Sequence, residues 1–260
     1  MIDIKRAHSE FERYLDDFDR SNEKIKLKLI HTNEVVRCAR EIARRMNLGP
    51  EDRELAEVIA LLHDIGRFEQ VRMYDSFEPC TMDHAQFGVD LLFDTDNPRI
   101  RSFVASDRWD HVIREAIRRH SAYSVGPIED ERTLLHARLI RDADKLDNCR
   151  VKLEDDIKVL VGMDAEEVGS QPVTDKVFQT CMDRRSVRSA DRVTKMDYWI
   201  SYIAYFFDIN FRETFQIIKE NDFVNRIIDR IPYSNPDTGE KMERLRKTVN
   251  EYVDLQVHEN

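Results

Sequence analysis

The chain has 260 residues, 41% of them hydrophobic and 35% charged, and a formal net charge of −10. That length supports a sizeable core, while the acidic balance disfavours a nucleic-acid polymer or an anionic membrane as the main partner. Only seven glycines are present and neither GxxxxGK(S/T) nor GxGxxG occurs, which argues against glycine-rich phosphate loops, and the four scattered cysteines read as reduced thiols.

Apolar residues recur at three- and four-residue spacing along almost the whole chain, so the predicted fold class is all-α. The opening "MIDIKRAHSEFERYLDDFDR" is charged throughout and lacks the apolar core of a signal peptide, so a cytoplasmic location is expected. "HTNEVVRCAREIARRM" places Val35, Ala39, Ile42 and Met46 on one stripe. "DRELAEVIALLHDIG" follows, opened by Pro50 and closed by Gly66. "TMDHAQFGVDLLF" offers Thr81 or Asp83 as its cap, and "DHVIREAIRRHSAY" runs until "SVGPIED" breaks it. A long helical pattern covers "RTLLHARLIRDADKLDNCRVKL", and "VGSQPV" (168–173) reads as a loop. Further helices are expected over 174–188, 191–208, 210–229 and 239–257, with "IPYSNPDTGE" as a turn-rich break. The apolar stretch 198–211 is too short to span a membrane and is interrupted by Asp208, so it is read as a buried helix, whose part over 198–207 could serve the core or a homo-oligomer interface. With no repeat or flexible linker, a single all-α domain is the simplest organisation.

Several polar side chains fall on apolar stripes. His31 lies four residues before Val35, and His63 follows Leu55 and Ile59 at four-residue steps. His84 precedes Phe87, Gly88 and Leu91, His120 follows Ile113, Ala116 and Ile117, and Asp144 follows Ala137 and Ile140. Asp64, beside His63, can face the same point. One histidine on such a stripe is more often a hydrogen-bonded core residue than a ligand. Six lone-pair donors together, two of them carboxylates, are hard to satisfy by mutual hydrogen bonds, and a cation neutralises the buried charge. His8, His111, His136 and His258 have no comparable setting and read as structural or solvated.

The ordered series His31, His63-Asp64, His84, His120 and Asp144, with "LLHDIGRFEQ", "DHAQFGVDLL", "IRRHSAY" and "RDADKLD" around it, resembles the HD-domain superfamily of metal-dependent phosphohydrolases. The resemblance covers residues 24–150 and implies an HD-domain helical bundle, with 151–260 as a C-terminal helical extension packing on it. It implies His31, His63, Asp64 and Asp144 as the ligands of one ion, with His84 and His120 added in two-metal members, where Asp64 bridges. A one-metal, four-ligand site stays the alternative. The implied cofactors are divalent transition metals such as Fe, Mn, Zn, Ni or Co, and the implied reaction is attack of metal-activated hydroxide on a phosphoester or phosphoanhydride of a nucleotide or small phosphorylated metabolite. A mixed-valence di-iron oxygenase acting on a small polar metabolite shares the same ligands and is the competing activity.

Within this reading Asp64 is catalytic, and Arg67 and Lys145, beside the two aspartates, are catalytic and substrate-binding candidates that would neutralise phosphate oxygens. Glu34 and Asp147 are candidates to orient metal-bound histidines. Arg184, Arg185, Arg188 and Lys195 read as a solvated face balancing Asp183 and Asp191, with a phosphate-gripping lid as the less favoured alternative.

Overall fold

In the computed structural model, which describes all residues except 79, 95–97 and 259–260, the described residues form helices and no strand. They divide into two compact units, Met1–Asp147 and Asn148–Asn260. No helix among the described residues is long and apolar enough to cross a membrane.

The first unit contains α1 (Ile4–Leu15), α2 (Glu23–Arg45), α3 (Pro50–Leu62), α4 (Ile65–Tyr74), α5 (His84–Phe93), the short α6 (Ile100–Phe103), α7 (Asp110–Arg119) and the part of α8 (Glu131–Glu154) up to Asp147. Its centre is α3. Every residue from Leu55 to Leu62 is buried, as expected of a helix apolar on nearly all sides, and α1, α2 and α7 enclose it. Each fully buried leucine contributes about 1.5–3 kcal/mol to this packing. Asn22 caps α2 by accepting from the Lys24 and Ile25 amides, and Asp83 caps α5 through Ala85 and Gln86. Thr81, the other cap expected at that point, instead accepts from the Gln70 side chain.

One polar residue interrupts the buried face of α3. Glu57 accepts from His8 of α1 at 2.8 Å and from the Arg40 guanidinium of α2, so a single carboxylate ties three helices. Burial works to raise its pKa, but the His8 and Arg40 bonds outweigh burial and hold it at about 2.

The second unit contains α9 (Ile157–Val161), α10 (Ala165–Ser170), α11 (Asp175–Met182), α12 (Lys195–Ile203), α13 (Arg212–Glu220), α14 (Phe223–Ile228) and α15 (Pro236–His258). Helix α15 packs on α11, α13 and α14. Buried Asp197 accepts from the amides of Thr174, Val193 and Thr194 and from the Thr174 hydroxyl, which joins the starts of α11 and α12. Trp199, Ile200, Ile203 and Phe206 of the apolar stretch are buried.

Several boundaries differ from the sequence reading. "VGSQPV" is not wholly a loop, because α10 continues to Ser170. The helix expected over 174–188 stops at Met182, where Arg184 enters the left-handed region at φ 56°. The stretch 210–229 breaks into two at Asp222, φ 51°, and the last helix starts at Pro236, inside the supposed turn, where proline suits a first helical turn. Gly66 does not close a helix; it lies in the first turn of α4.

Replacing Glu57 with Gln is expected to cost about 1–3 kcal/mol at pH 7, because the charged partners of a buried acceptor lose their bonds. Because the folded pKa is depressed, the stabilisation is complete above the ordinary value of 4.5 and is lost as pH falls towards about 2. Urea unfolding at pH 7 and at pH 3 should show the gap between variant and wild type narrowing at the lower pH.

Candidate metal centre

The α3–α4 junction sets the centre. His63 follows Leu62 with near-helical backbone, and Asp64 then turns away, with φ −106° and ψ 18°, before α4 begins. The Asp64 carboxylate makes no capping bond to α4, so both oxygens face inward. Around them stand His31 of α2, His84 at the first residue of α5, His120 at the end of α7, and Asp144 of α8.

The two oxygens serve different histidines. Oδ2 lies 3.6 Å from His31 Nε2 and 3.7 Å from His63 Nε2. Oδ1 lies 3.4 Å from His84 Nε2 and 3.5 Å from His120 Nε2, and those two nitrogens are 3.1 Å apart. His31–His63–Asp64 and Asp64–His84–His120 are thus two buried donor groups sharing one carboxylate. Asp144 joins the first through His31, with Oδ1 3.2 Å from Nε2.

The other ring nitrogens fix the tautomers. His63 Nδ1–H donates to the Ala60 carbonyl and His120 Nδ1–H to the Ile117 carbonyl, both at 2.7 Å. His31 Nδ1–H donates to Asp147 Oδ2 at 2.6 Å. A carbonyl or carboxylate oxygen can only accept, so each of these three rings donates through Nδ1 and turns its Nε2 towards Asp64. His63 Nε2 is buried with no hydrogen-bond partner, a costly state for a polar atom unless a cation takes its lone pair. Ligand atoms bonded to one ion at about 2.0–2.2 Å sit roughly 3–3.6 Å apart, close to the separations found here. The donor set therefore fits divalent metal at both groups.

The electrostatics agree. Burial depresses the His63 pKa to about 4 and that of His84 to about 2, with only partial opposition from Asp64, so both rings are neutral donors at neutral pH. Burial works to raise the Asp64 pKa, but Lys28 and the surrounding histidines hold it well below the usual range. Burial raises Asp144 likewise, and its bond to His31 and the nearby histidines overcome that and lower it. His31 is the exception. Burial and Lys28 lower its pKa, but its bonds to Asp144 and Asp147 outweigh them and raise it.

Two residues position members of the cluster from outside it. A Cβ on Gly66 would lie 2.2 Å from the His84 carbonyl oxygen and 2.9 Å from the Gly88 amide, so only glycine lets α4 and α5 approach this closely. Buried Arg141, one turn before Asp144, donates from Nη1 to the carbonyls of Arg119, His120 and Ala122 at 2.9, 3.2 and 2.5 Å, which satisfies the end of α7 and holds His120 relative to α8.

Of the other residues singled out in the sequence, Arg67 has Nε 3.9 Å from Asp64 Oδ1 and Nη1 bonded to Gln70 and to the Phe77 carbonyl. Lys145 donates to the Arg141 carbonyl at 3.4 Å. Asp147 orients His31 as anticipated, whereas Glu34 pairs with Arg37. His136 is a buried partner of Asp52, His8 a partner of Glu57, and His111 is exposed. Arg184, Arg185 and Arg188 are exposed, and Arg185 pairs with Asp183. Sequence reasoning missed Lys28, whose Nζ lies 2.8 Å from Asp64 Oδ2. Its only signal is its place one turn before His31.

Residues 29–149 match the family model of the HD domain. The chain therefore contains an HD domain, and the two buried His/Asp groups are consistent with an HD metal site. No curated protein and no solved structure matches the chain.

Gly66→Ala is expected to push α5 away, lower stability by about 1–3 kcal/mol, and release metal from the His84–His120 group before the other. Metal content by elemental analysis after dialysis should fall below that of the wild type, with circular dichroism close to wild type.

Proposed function

We propose that the HD domain acts as a metal-dependent phosphohydrolase on a nucleotide or other small phosphorylated metabolite. The observation that supports this best is the carboxylate of Asp64 shared between two histidine groups. When bound, divalent ions supply Lewis acidity and lower the pKa of water towards neutrality. In this reading His31, His63 and Asp144 would hold one ion and His84 and His120 the other, with Asp64 shared between them.

The protein's own groups do the rest. The Ala60 and Ile117 carbonyls and the Asp147 carboxylate hold Nδ1 of His63, His120 and His31, so each ring keeps its Nε2 directed at Asp64. Arg67, tethered by Gln70 and the Phe77 carbonyl, keeps a guanidinium beside Asp64 that can pair with phosphate oxygens. Lys145, next to Asp144, is the second candidate for that role.

Asp64→Ala and Asp144→Ala should each lose metal and at least about a hundredfold in phosphate release while helical content largely survives; full activity in either would refute the assignment. His84→Ala should leave one ion per chain, and an unchanged metal count would favour a four-ligand site. A phosphate-release screen over nucleotides and phosphorylated metabolites, run with and without oxygen, tests the reaction class. Undiminished anaerobic turnover is expected, and loss of activity on excluding oxygen would favour the di-iron oxygenase.

A further inference from the structure

Oδ2 of Asp64, the oxygen facing His31 and His63, already carries a cation. Lys28 Nζ lies 2.8 Å from it, closer than either imidazole nitrogen, and among the described residues no other ion pair to Asp64 is this short. The pair is partly buried: the two side chains keep 13% and 5% of their exposure, with Asp64 the deeper partner. An ion bonded to Oδ2 at about 2 Å would meet the ammonium at a distance where two positive charges repel strongly, and the lysine must move aside. An aromatic face already lies beside it. The Phe77 ring centroid is 5.3 Å from Nζ, and the same ring lies 6.0 Å from the Arg67 guanidinium. Arg67 flanks the other carboxylate oxygen at 3.9 Å.

We propose that Lys28 is an exchangeable counter-ion of the metal centre. Its ammonium balances Asp64 in the metal-free chain, is displaced when a divalent cation takes Oδ2, and then lies with Arg67 beside the loaded centre as a second contact for phosphate oxygens. The first half concerns metal entry alone. The second rests on the phosphohydrolase reading. A lysine suits the exchange better than an arginine, because a single flexible ammonium can leave one oxygen without breaking a bidentate fork.

The test uses the full chain. Lys28→Met and Lys28→Arg are purified with Mn2+, stripped, and titrated with Mn2+ by calorimetry. Lys28→Met is expected to bind about tenfold tighter than wild type, because the competing charge is gone, while Lys28→Arg stays within about threefold of wild type. If stripped Lys28→Met does not stay folded, Mn2+ release from the loaded protein into a chelator gives the same comparison, with slower loss expected from the variant. Affinity or release equal to wild type, or an equal gain in both variants, overturns the exchange. At saturating Mn2+, orthophosphate should bind Lys28→Met about tenfold more weakly, and unchanged phosphate binding overturns the second role. Absence of phosphate release from any substrate by the wild type would refute the hydrolase reading and leave the Mn2+ result standing.

Discussion

A carboxylate held at 4% exposure between four imidazoles is the constraint on which the first unit depends. Unpaired, such a charge would cost several kcal/mol, and neutralising it by protonation would remove its use as a ligand. The surrounding groups solve this by position. Lys28 and the histidines hold Asp64 ionised, backbone carbonyls fix the ring tautomers, and Asp147 holds the ring of His31. The break between α3 and α4 follows from the same need, since a carboxylate continuing the helix or capping it would not present both oxygens inward.

The candidate ligands stand on, or at the ends of, helices packed in the core. Leu61, Leu62 and Ile65, on either side of the His63-Asp64 pair, are buried, so the packing that stabilises α3 also sets the direction of that pair. Arg141 does the same for His120 by joining the end of α7 to α8, and Gly66 does it for His84 by allowing α5 to approach. Stability and chemistry are therefore not separable here: a core substitution that shifts a helix by a fraction of an ångström changes ligand geometry too.

Much of this centre was legible in the sequence because helical phase alone puts His31, His63, His84, His120 and Asp144 on apolar stripes. Side-chain identity then carried the chemistry. Lys28 was not legible, since in "KIKLKLIH" it is one of several lysines and nothing local separates it from a solvated one. Gly66 was misread for a related reason. Its neighbours suit a helix stop, and the close approach of α5 that requires glycine is a tertiary fact. The helix breaks at Arg184 and Asp222 escaped because non-glycine residues in left-handed backbone leave no strong local signal. Arg141 looked like any charged residue of a long helix until its carbonyl partners, about twenty positions earlier, were in place.

The bond between His31 and Asp147 has a temporal consequence. Its partners are 116 residues apart, and α8 is the last helix to enter the first unit. During synthesis the imidazole of α2 emerges long before the carboxylates that orient and complete its site, so no fragment ending before α8 can hold the full ligand set. Closure of so long a loop is entropically slow and rewarded only at the end. A cation captured by the finished centre would draw its stabilisation from the folded state alone, which makes metal availability a check on whether the nascent chain has folded as far as α8.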